Sequence, residues 1–160
     1  MLHIPINHHL RPLYRTLAGL GGLYVLVFGV MGLFASSHLP LFAQPHDHKL
    51  PWVLGLRTNL AFSVLSIIVG LILLLGNIVG RNLDQVANLI AGAVFMLAGM
   101  AMMALLQTDL NFLGFSMVNC IVSFILGTTF LLAGLYGRVG ATEAADDEEA
   151  FRHGSVIAGH

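Results

Sequence analysis

The stretch RTNLAFSVLSIIVGLILLLGNIVGR, residues 57–81, decides the fold. Nothing charged stands between Arg57 and Arg81. At ~1.5 Å per helical residue, residues 60–80 are long enough to cross a hydrocarbon core of ~30 Å. Thr58 and Asn59 supply side-chain oxygens for the unpaired N–H groups of a helix start, and Gly80 followed by Arg81 reads as a helix stop with a polar anchor. This is the pattern of a transmembrane helix with both ends marked.

Three more stretches free of Asp, Glu, Lys, Arg and His lie at about 17–36, 87–106 and 114–137. The chain has 160 residues, of which 57% are hydrophobic and 9% charged, against ~25% charged in an ordinary soluble domain. Mean hydropathy is +0.86. The expected fold is therefore an all-α membrane protein of four transmembrane helices. An arm at 1–16 precedes them, a long connection at 37–59 follows the first, and an acidic tail at 141–160 ends the chain. Glycines 19, 21, 22, 29 and 32 dilute the first span. With Arg11 and Arg15 before it and small residues at 35–37 after it, that span has the outline of a signal peptide. The expectation is that it is retained.

Positive charge sets the orientation. Arg11, Arg15, Arg81, Arg138 and Arg152 fall on one side of the expected topology, against Lys49 and Arg57 on the other. The positive-inside rule then places both termini in the cytoplasm, and 37–59 and 107–113 outside. Tyr14, Tyr136 and Trp52 would sit at the interfaces, as amphipathic rings prefer. The expected location is the cytoplasmic membrane, with lipid as the first partner.

The chain repeats itself. RTNLAF at 57–62 is echoed by QTDLNF at 107–112, and SIIVG at 66–70 by SFILG at 123–127. Both copies of the first motif are expected to cap a helix as the chain re-enters the membrane, with Thr108 and Asp109 matching Thr58 and Asn59. Each following helix carries a Ser-x-x-x-Gly step that lets a neighbour approach. Gly22 and Gly29 match Gly92 and Gly99 more faintly. A duplicated helical hairpin, its halves related by an axis along the membrane normal, accounts for the pattern.

Little in the chain suggests chemistry. A net charge of −1 excludes the basic surface that nucleic acid requires. Cys120, the single cysteine, lies in an apolar run and reads as a packing residue. No ionisable residue falls within the four spans as drawn, where a proton-coupled carrier would need one. Asn119, with Ser63, Ser66, Ser116, Ser123, Thr128 and Thr129, could mark a polar track, but such groups more often bond across helices or to their own backbone. All eight histidines, His38 the nearest, lie outside the spans, so haem ligation is not expected. His46, Asp47 and His48 carry ligand types for zinc or copper, yet a loop pair lacks the further ligands that define a site. His8 and His9 are expected on the opposite side of the membrane. No nucleophile, base and orienting group can be assembled, so no enzyme is expected, with no catalytic, cofactor or metal residues to name. Phe42 and Trp52 in the long connection are the candidate contact residues, and Asp146–Glu149 reads as a solvated run.

The segments NHHLRPLYRTLAGLGGLYVLVFGVMGLF, WVLGLRTNLAFSVLSIIVG, GRNLDQVANLIAGAVFMLAG and LLQTDLNFLGFS, with AGLYGRVG, resemble an actinobacterial family of small four-helix membrane proteins classed as a domain of unknown function. They are similar as well to supercomplex association factors, accessory subunits found with the cytochrome bcc and aa-type oxidase assembly. The similarity covers about residues 7–140. It implies a non-catalytic accessory role beside the subunits of a respiratory supercomplex, with no site residues and no cofactor. A small transporter or channel for a neutral solute is the alternative that the residues leave open.

Overall fold

The computed structural model describes residues 11–80 and 83–137. Helices α1 (Arg11–Ser36), α2 (Leu60–Val79), α3 (Leu83–Leu105) and α4 (Met117–Tyr136) make up most of it, and all four are long and apolar enough to cross a membrane. The chain is thus an all-helical protein with four candidate transmembrane helices. Two two-residue strands, β1 (Trp52–Val53) and β2 (Leu56–Arg57), pair antiparallel between α1 and α2.

Helix α1 begins six residues before the charge-free span, because backbone hydrogen bonding and not charge defines its start. Pro12 sits in the first turn, where its missing N–H has no partner to lose. Helix α3 likewise begins at Leu83 and places Asp84 in its first turn, where the helix dipole favours an anion. Asn59 caps α2 as expected, its side chain accepting from the Phe62 N–H. Helix α4 departs from expectation. Its cap is Ser116, accepting from the Asn119 N–H, and Thr108 and Asp109 lie in the connection before it. Thr108 instead closes a local turn through the Leu105 carbonyl (2.9 Å). The chain is delayed by Gly114, whose φ of +65° turns it back over the bundle.

The glycines explain how the helices pair. A Cβ on Gly29 would lie 2.7 Å from the Ile67 nitrogen and 2.8 Å from the Ser63 oxygen, and one on Gly70 would lie 2.7 Å from the Leu26 nitrogen. α1 and α2 therefore touch backbone to backbone. In α3 and α4 the same occurs: a Cβ on Gly127 would lie 3.0 Å from the Met96 nitrogen, and one on Gly99 would lie 3.3 Å from the Cys120 oxygen. In lipid such contact holds helices through van der Waals packing, since burial from one apolar medium into another gains little. Both Ser-x-x-x-Gly steps work as the sequence suggests. Gly22, Gly29 and Gly32 all face α2, so the groove on α1 is filled from within.

The two hairpins then close into a bundle. At one end Tyr14 stacks on Tyr136 with centroids 5.3 Å apart, above a core of Ala18, Leu73, Ala91, Phe130 and Ala133. At the other end, which carries both long connections, Phe62 packs against Phe28 and Phe115. The β-hairpin does not lie on top of the bundle. Val53 and Leu56 reach down beside α1 to Phe28, with Tyr24 and Val122 packed around them.

Candidate functional site

The polar residues gather at the two ends of the bundle. At the end bearing the long connections, Asn119 binds both backbone groups of Arg57: its Oδ1 accepts from the Arg57 N–H (3.0 Å) and its Nδ2 donates to the Arg57 carbonyl (2.7 Å). The Arg57 guanidinium donates to the carbonyls of Gly114 (2.8 Å) and Phe115. Burial pulls that guanidinium below its ordinary pKa. Asn59 donates to the carbonyls of Ala43 (3.0 Å) and Phe112 (2.8 Å), and Asn111 holds both the N–H and the carbonyl of Phe115. These side chains replace a sheet or helix ladder for backbone that would otherwise be unpaired near lipid. Asn119 lies in the first turn of α4 and not deep in the span. Asn111 was not singled out in the sequence, where nothing marks an Asn in a turn as buried.

Within the spans the hydroxyls turn back on their own helices. Ser63 donates to the Asn59 carbonyl, Ser66 to Phe62, Thr128 to Phe124 and Thr129 to Ile125, all at 2.7–2.8 Å. Ser116 donates to Asn119 Oδ1. The backbone-bonding reading therefore holds for Ser63, Ser66, Thr128 and Thr129. Cys120 is fully buried and packs with Met102, Leu113 and Phe115.

The opposite end corrects the expectation that no ionisable residue stands on a span. Arg15 belongs to α1 and Asp84 to α3, and Arg15 Nε lies 3.8 Å from Asp84 Oδ2. Arg15 also donates to the side chain and the carbonyl of Asn77 on α2. Asp84 is buried, so three helices meet on one charged cluster beside an open cavity of about 360 Å³ lined by Pro12, Arg15, Thr16 and Asn77. The sequence hides this because the charges sit in the first two turns of helices that begin earlier than their apolar spans. Arg81, Arg138 and the acidic tail lie outside the described residues, as do His8 and His9.

In the long connection, His46 Nε2 lies 3.3 Å from Asp47 and 3.7 Å from Asp109, while His48 joins neither contact. Among the described residues no group of three or more His, Cys, Asp or Glu side chains is placed to hold a metal. Gln44 donates to the Asp109 carbonyl (2.6 Å) and ties the connection to the turn before α4. Phe42 meets Phe112 edge-on at 6.3 Å, and both remain exposed, as do Leu41, Leu110 and Trp52. No family model, curated protein or solved structure matches the chain.

Proposed function

We propose that this protein is a non-catalytic accessory subunit of a larger membrane complex, with both termini cytoplasmic and the 37–59 connection external. The observation that carries this is the exposed apolar set at the external end. Phe42 and Phe112 meet on the two connections and stay 54% and 44% exposed, beyond the helix ends, while Trp52, 58% exposed, stands at the start of the β-hairpin. Large apolar side chains shown together on connections beyond the helix ends mark a contact surface. What supports this over a solute carrier is that Ser63, Ser66, Thr128, Thr129 and Asn119 are engaged within the bundle. The resemblance in sequence makes the cytochrome bcc and aa-type oxidase supercomplex the partner to test.

We also propose that the bundle is a duplicated hairpin. Residues 70 apart in α1 and α3 and 57 apart in α2 and α4 take equivalent places. Gly29 meets Ser63 as Gly99 meets Cys120, and Gly70 meets Leu26 as Gly127 meets Met96. The caps Asn59 and Ser116 keep the same offset of 57. RTNLAF and QTDLNF, with an offset of 50, do not.

The test is a Phe42→Ala, Trp52→Ala double variant expressed in place of the parent. Retention of the protein with its complex in mild detergent should fall while the variant's own melting temperature stays near the parent's. Deletion should lower how much of the complex survives detergent and spare its turnover. Solute flux through liposomes carrying the protein alone would refute the proposal.

A further inference from the structure

The β-hairpin fills a slot between α1 and α4. Tyr24 donates from its hydroxyl to the Leu54 carbonyl (3.2 Å), Phe28 packs with Val53 and Leu56, Val122 flanks them, and Asn119 pairs with the Arg57 backbone. Moving these four by the offsets that relate the two halves gives Val94, Ala98, Leu65 and Phe62. All four line a separate, mostly apolar crevice between α2 and α3, whose other walls are Val69, Phe95, Leu113 and Phe115 with Ser66 and Ser123. The crevice is thus the counterpart of the hairpin slot in the other half, and no segment of the described chain fills it. Val94 and Leu65 are half-exposed, so it opens sideways on the membrane-spanning surface.

We propose that this crevice holds the end of a phospholipid acyl chain. The substitutions between the two slots select the occupant. In the first slot Tyr24 and Asn119 satisfy peptide N–H and carbonyl groups that would be costly to leave unpaired away from water. Their counterparts, Val94 and Phe62, have no polar atom, so an inserted peptide backbone would lose those bonds. A hydrocarbon chain has none to lose. Phe28 becomes Ala98, which removes a ring and leaves space: the crevice measures about 50 Å³. Since a water takes ~30 Å³ in the liquid, this is room for the terminal methyl and about one methylene of a chain. The site rests on the equivalence of the two hairpins.

The experiment uses the full chain in liposomes containing a phospholipid whose acyl chain carries a diazirine, with labelled residues mapped by mass spectrometry. Adducts should fall on Leu65, Val94 and Ala98 severalfold more than on Leu97 and Ile125, which face outward on α3 and α4. Ala98→Phe, which restores the ring found at Phe28, should bring the crevice down to the outward level. A Leu97→Phe control should leave crevice labelling intact. Equal labelling of crevice and outward residues in the parent chain overturns the proposal without needing any variant to fold. Labelling below the outward level would mean that a protein segment shields the crevice, and overturns it as well. Neither result bears on the duplication, which stands on the paired glycine contacts.

Discussion

Asn119 and the glycines show how single side chains hold this bundle where hydrophobic burial contributes little. Asn119→Ala leaves the N–H and carbonyl of Arg57 without partners, and each buried group so abandoned costs about 1–3 kcal/mol. At ~2–4 °C per kcal/mol for a chain of this size, the two groups together should lower the melting temperature in detergent by roughly 4–24 °C. Gly70→Ala and Gly127→Ala should each lower it, since either Cβ meets backbone of the neighbouring helix at 3.0 Å or less. Gly55→Ala tests a different term. Its φ is +82° and nothing lies within 4 Å, so the cost is the left-handed conformation alone, about 1–2 kcal/mol. If Gly70→Ala proves milder than Gly55→Ala in thermal melts, the close backbone approach is not what holds α1 to α2. The Ser-x-x-x-Gly steps were legible because small residues at a helical interval have one use. Asn111 and Asp84 were not, because a polar residue near a span end looks solvated until the fold closes over it.

The element that the sequence conceals is the β-hairpin. Two consecutive residues with positive φ, Leu54 and Gly55, make the kind of two-residue turn that favours Asn-Gly. Leucine stands at the first position because the turn reaches Tyr24, near the middle of α1, where an apolar residue suits the surroundings. The three prolines of the connection point to irregular structure, and the turn signal is muted by that leucine. Leu56→Ala should open a cavity against Phe28 and cost about 2 kcal/mol or more, read as a lower melting temperature with α1–α4 otherwise intact by circular dichroism. Helix existence was legible throughout, since twenty apolar residues admit few alternatives. Helix starts were not, because Arg15 and Asp84 end an apolar run without ending a helix. In a Cys120→Ser background, an impermeant thiol reagent applied to intact cells should reach Lys49→Cys and not Leu83→Cys. The reverse pattern would invert the orientation.

As a whole, the molecule is two close-packed hairpins in which Asn59, Asn111, Asn119 and the hydroxyls of Ser63, Ser66, Thr128 and Thr129 serve the backbone, with exposed aromatics on the connections at one end. A surface of Leu, Ile, Val, Phe and Met offers shape and dispersion, individually weak and collectively sufficient for adhesion. Association with a partner is therefore the proposed role of this surface. The most direct measurement is purification in mild detergent on a tag placed after the last residue, with every co-purifying subunit quantified. Respiratory bcc and oxidase subunits at stoichiometric levels are the predicted result; the protein recovered alone, or as a homodimer without companions, would contradict it.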